Sequence, residues 1–121
     1  MNKQIRSNRT RRTMNKQIPK GISLVFDGLW RKSNHYDIVL LVGILRDLGF
    51  DVKDHEEALD YMGVKIPDKK ECIEELFRYK KPKDRARELV EDSLEFDRFS
   101  KGRARRSLRF IFERVCDIRP D

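Results

Sequence analysis

The chain has 121 residues, 28 basic and 21 acidic, for a net charge of +7. That length fits one domain with a modest core. No apolar run reaches the roughly 18 residues of a membrane span, and the N-terminus lacks the apolar stretch of a signal peptide.

The charge is uneven. Positions 1–20 hold Lys3, Arg6, Arg9, Arg11, Arg12, Lys16 and Lys20 with no acid, and the rest of the chain is neutral. Cys72 and Cys116 stand far apart, outside any CxxC pair. A disulfide framework or structural zinc site is therefore not expected. These features point to a protein of the cytoplasm or another intracellular compartment with two regions, a basic tail over 1–20 and one helical domain over 21–121.

In the tail, apolar residues are sparse and non-periodic, so ordering it would cost backbone entropy without burial in return. Residues 1–18 are expected to be disordered in isolation. MNKQI occurs at 1–5 and again at 14–18. Two copies of five residues make no structural repeat, and a start at Met14 would account for them. Within SNRTRR (7–12), Arg9, Arg11 and Arg12, with Arg6 before them, offer planar donor forks that match phosphate.

ISLVF (22–26) is a short apolar run, and Asp27-Gly28 reads as a turn. A short strand or hairpin over 22–31 is the expectation, with Trp30 anchoring it to the core. A helix is predicted over 35–48. Asn34 caps it, Asp37 forms a partial capping box, Gly49 is the C′ residue and Phe50 lies beyond. Its apolar residues nearly encircle it, so it should be central, with Gly43 admitting a close neighbour.

Asp54 is expected to cap a helix over 55–62, with Ala58, Leu59 and Met62 inward and His55 on an exposed face. Asp68 with Glu71 caps the next helix, 69–80, whose stripe is Cys72, Ile73, Leu76 and Phe77. Pro82 should stop it. Asp84 opens an acidic helix with Ala86, Leu89, Val90 and Leu94 inward. Ser100 and Gly102 then mark a break before a last helix over 103–117. There Ala104, Leu108, Ile111, Phe112 and Val115 fall within about 100° of arc. The fold class is mainly α, a small bundle of four to five helices.

The pair 55–62 and 69–80 has the order of a helix-turn-helix, with Lys69 and Lys70 in the first turn of the second helix. The connection is longer than such turns, and Glu71, Glu74 and Glu75 face phosphate poorly. Two successive core helices are the favoured alternative. On the last helix, Arg103, Arg106, Ser107 and Arg114 lie with Phe110 opposite the core face, Arg105 and Arg109 flank them on the other shoulder, and Lys101 precedes. A ring among guanidinium groups can stack on an unpaired base while the arginines hold phosphates. It can equally serve as a protein hot spot. Alternatively, Glu91 or Glu95 of the acidic helix can neutralise Arg103 or Arg106.

No phosphate-binding glycine loop, dinucleotide fingerprint or HExxH motif occurs. Asp54, Glu56, Glu57 and Asp60 are spread around a short helix and make no metal site. Neither catalytic residue nor cofactor is expected. The leading expectation is a small accessory or regulatory protein that binds DNA or RNA. The alternative is an adaptor or inhibitor that docks on a larger complex, or a homodimer.

Overall fold

A computed structural model describes residues 16–94 and 98–117. Among these residues six helices follow in order: α1 Lys20–Arg31, α2 His35–Asp47, α3 Lys53–Tyr61, α4 Lys69–Leu76, α5 Pro82–Ser93 and α6 Arg98–Asp117. The molecule is a small all-α bundle with more helices than the expected four to five. Residues 1–15, including Arg6, Arg9, Arg11 and Arg12, lie outside the described residues. The chain joins the body by Lys16. Its N–H donates to the Gly49 carbonyl and its carbonyl accepts from Asp51 N–H, both at 2.7 Å. This is an isolated parallel bridge with Phe50.

The expected strand or hairpin at 22–31 is instead the helix α1. Ile22, Val25, Phe26 and Leu29 recur at helical spacing, and all are fully buried. Asp27-Gly28 does not turn the chain. Gly28 lies inside α1, where the backbone of Ser93 approaches so closely that a Cβ would sit 2.0 Å from the Ser93 carbonyl oxygen. Packing against α5 therefore overrides the local turn preference of the dipeptide.

Helices α1 and α2 share one junction. Asn34 N–H donates to the Leu29 carbonyl (2.9 Å) and Ser33 N–H to the Trp30 carbonyl (3.0 Å), closing α1 in a Schellman motif. Ser33 takes the left-handed conformation this requires, at φ 56°. The Asn34 side chain then caps α2, accepting from Asp37 N–H at 3.2 Å and donating to the Asp37 carboxylate at 2.8 Å. As expected from the sequence, α2 is the central element. Residues 37–45 are all buried, and Gly49 at φ 90° ends it with Phe50 N–H bonded to the Leu45 carbonyl. At Gly43 the Cys72 sulfur of α4 would lie 2.4 Å from a Cβ. Burial raises the Cys72 thiol to about 11, so it packs as an uncharged group.

Several boundaries move. Helix α3 starts at Lys53, before the expected Asp54 cap, and Met62 at its end is 40% exposed rather than inward. Helix α4 stops at Leu76, short of the expected residue 80. Pro82 begins α5 as its first residue, where a missing N–H costs nothing. Ser100 and Gly102 do not break α6, which runs from Arg98. Helix α6 packs against α5 and α1, while α3 and α4 both rest on α2. The buried cluster joins Leu59, Cys72, Ile73 and Leu76 to Phe112, Val115 and the apolar faces of α1, α2 and α5.

His55 is not on an exposed face. Its ring stacks on Phe26 with centroids 4.0 Å apart, and its Nδ1 accepts from Trp30 Nε1–H at 3.0 Å. That bond requires an unprotonated Nδ1. Burial lowers the His55 pKa from 6.5, with Asp54 and Asp27 opposing. A base whose pKa falls on folding is protonated first in the unfolded chain. Stability is thus complete above pH 6.5 and drains as pH falls below it. Emission of Trp30, the only tryptophan, is expected to shift at the lower pH where His55 of the folded chain takes up its proton. His55→Phe keeps the stacking and should flatten the shift. Emission of the parent protein that stays constant from pH 8 down to and through acid unfolding would contradict this role for His55.

Candidate nucleic-acid interface

Helices α5 and α6 form the basic surface together. On α6 the core positions Ala104, Leu108, Ile111, Phe112 and Val115 are buried, in agreement with the periodicity. Their burial turns Arg103, Arg105, Arg106, Arg109 and Phe110 outward. On α5 the buried face is Ala86, Leu89, Val90 and Ser93. At about 100° per residue, Lys83 and Arg87 flank one edge of that face and Asp92 the other, while Asp84, Glu88 and Glu91 lie further around the helix. The acidic helix therefore presents a basic edge to its neighbour.

The result is an open cleft of about 360 Å³, lined by Lys83, Arg87, Arg105, Arg106 and Arg109. Among the described residues every lining side chain is cationic. Arg87 bonds Asp84 at 2.7 Å and Arg109 bonds Glu113 at 2.9 Å, each within its own helix. Lys83, Arg105 and Arg106 form no ion pair among the described residues. Such a concentration of like charge in a recess is unfavourable in isolation and favours an anion of matching size.

Among the described residues, neutralisation between the two helices is limited to their joined ends. Lys101 bonds Glu91 at 2.8 Å. The Lys101 hydrogen bond holds the Glu91 carboxyl below its ordinary range, and the charges of Lys101, Arg105 and Arg87 add to the effect. The pairing falls on Lys101 rather than on the expected Arg103 or Arg106. Both of those arginines stay exposed without an ion pair among the described residues. Arg114 lies over the Phe110 ring, 5.7 Å from its centroid.

No protein-family model, curated protein or solved structure matches this chain.

The other expected contact residues lie elsewhere. Lys69 is half-buried and Lys70 exposed at the start of α4, and neither lines the cleft. Residues 62–68 separate α3 from α4, and each helix packs on α2. This matches two successive core helices rather than a tight helix-turn-helix. The cleft brings Lys83 and Arg87 of α5, for which the sequence alone suggests no contact role, beside Arg105, Arg106 and Arg109. Lys83 and Arg87 sit one turn apart, which is a readable signal. Their meaning depends on which edge of α5 meets α6.

A second cleft, of about 370 Å³, includes Tyr36, Asp37, Glu75, Arg78, Arg85 and Glu88. Most of its charges are paired within the cleft, Lys80 and Asp92 also lining it. Tyr36 donates to Glu75 at 2.5 Å, Arg78 also bonds Glu75, and Arg85 bonds Asp37 and Glu88. Among the described residues no group of His, Cys, Asp and Glu converges to hold a metal ion. No described helix is long and apolar enough to cross a membrane.

Proposed function

We propose that this protein binds nucleic acid through its phosphates, as a small non-enzymatic accessory or regulatory factor inside the cell. The observation that carries this reading is the α5–α6 cleft, whose described lining residues are all cations. Protein interfaces concentrate aromatic and apolar groups at their centre and exclude most charge there. A recess made of lysine and arginine suits a polyanion better. The arginines of the tail, Arg6, Arg9, Arg11 and Arg12, would add phosphate contacts around the docked strand.

Salt dependence tests the reading. Each phosphate neutralised on duplex DNA contributes about −0.9 to the slope of log K against log salt, so Lys83, Arg105 and Arg106 together predict roughly −3. Arg105→Ala with Arg106→Ala should make the slope about 2 units shallower. Deleting residues 1–13 should lower it further and independently. Fluorescence anisotropy with labelled oligonucleotides between low and moderate salt gives the slopes. Absence of binding at low salt rejects the reading, as does a slope that ignores the double substitution.

A further inference from the structure

We infer that the preferred ligand is a single-stranded nucleic acid whose phosphates enter the cationic cleft while its bases stack on Phe99 and Phe110. This rests on the phosphate-binding reading above and narrows it to strands with unpaired bases.

Two phenyl rings stand in water on α6, Phe99 at 84% and Phe110 at 62% exposure. Eleven positions apart, they are about three turns from each other and lie on the same side of the helix, roughly 16 Å apart along its axis. Arg103 and Arg106 fall between them on that side, and Arg114 covers Phe110. The row thus alternates aromatic rings with guanidinium groups. Guanidiniums add cation–π attraction to stacked bases and reach phosphates at the same time.

The row borders the cleft. Arg106 belongs to both, and Arg105 and Arg109 lie on the adjoining shoulder of α6. The centres of the two features are about 80° apart around a helix of 10–12 Å diameter, an arc of roughly 8 Å. That is the scale on which a nucleotide separates its phosphate from its base. A strand following α6 would meet both features at once. At about 3.4 Å per stacked nucleotide the row covers roughly five nucleotides, within the range of about 4–16 seen for single-strand sites.

A duplex gains little here, because its base faces are already stacked and only edges and phosphates remain to be contacted. A second copy of the chain is also a poor occupant. Matching rows would set Arg103, Arg106 and Arg114 against their own counterparts.

The test uses the full chain with labelled 12-nucleotide single strands of DNA and RNA and a blunt 12-base-pair duplex, at low salt. Single strands of at least one sugar type are expected to bind about tenfold more tightly than the duplex. Phe99→Ala with Phe110→Ala should weaken single-strand binding by about tenfold or more, from the loss of stacking, and leave duplex binding unchanged. Tyrosine at both positions should restore it. Both rings are exposed, so the thermal midpoint of the double variant should match the parent. Duplex binding equal to single-strand binding, or a silent alanine pair, overturns this inference and leaves the phosphate reading intact. No binding to any of the three ligands overturns the phosphate reading, and this inference with it.

Discussion

Arg85→Ala is expected to destabilise the chain by about 3–5 kcal/mol, the cost of leaving a buried charge without its partner. The partner is Asp37, 6% exposed, whose carboxylate accepts from Arg85 at 2.6 Å. The Arg85 side chain is itself only 12% exposed, so water can replace little of what is lost. Arg85 also donates from Nε to the Leu76 carbonyl at 3.0 Å and bonds Glu88 at 2.6 Å. One planar guanidinium thereby ties the first turn of α2, the open C-terminal end of α4 and the body of α5. Lysine carries the charge but not the fork, so Arg85→Lys should recover only part of the loss. Asp37→Asn combined with Arg85→Met removes both charges and should be milder than Arg85→Ala alone. Urea unfolding of the four proteins at neutral pH gives the ordering. An Arg85→Ala loss under 1 kcal/mol would mean the pair is solvent-screened.

The Asp37–Arg85 link spans 48 positions, and nothing in the local sequence announces it. What the sequence does announce is local chemistry. Asn34, Gly49 and Asp68 mark helix ends because each solves a hydrogen-bonding or conformational problem within a few residues. The core stripe of α6 is equally legible, since Ala104, Leu108, Ile111, Phe112 and Val115 repeat at the helical period. The misreadings have one cause. Asp27-Gly28 and Ser100–Gly102 have turn-like composition, yet both lie inside helices. Tertiary contacts outweigh a propensity cost of about 1 kcal/mol per glycine. His55 is a similar case, since Glu56 and Glu57 after it give the local sequence a surface character. Only the position of α1 reveals that Phe26 and Trp30 meet its ring. For the candidate site, Arg106, Arg109 and Phe110 are readable from α6 alone. The cleft itself requires knowing that α5 turns Lys83 and Arg87 toward α6.

Gly28 and Gly102 should respond in opposite ways to the same substitution, although both are helical glycines. Propensity alone favours alanine at each by about 1 kcal/mol. At Gly102 the nearest atom to an added Cβ is the end of the Arg106 side chain, at 3.5 Å. Gly102→Ala should therefore stabilise the chain by about that amount. At Gly28 the added Cβ would lie 2.0 Å from the Ser93 carbonyl oxygen, 2.7 Å from its carbon and 2.8 Å from its Cβ. Two of these are backbone atoms of α5, which cannot turn aside as a side chain can. The α1–α5 contact must open, and Ile22, Val25 and Leu29 lose packing along with it. Overpacking of this kind costs about 3 kcal/mol, enough to reverse the propensity gain. Because α5 carries Lys83 and Arg87, the same displacement moves one wall of the cationic cleft. Gly28→Ala should thus weaken oligonucleotide binding as well as stability, even under conditions where the variant is still folded. Urea midpoints for both variants, with binding measured well below the Gly28→Ala midpoint, separate the two effects. A Gly28→Ala protein as stable as Gly102→Ala would mean that α1 and α5 do not meet at this glycine.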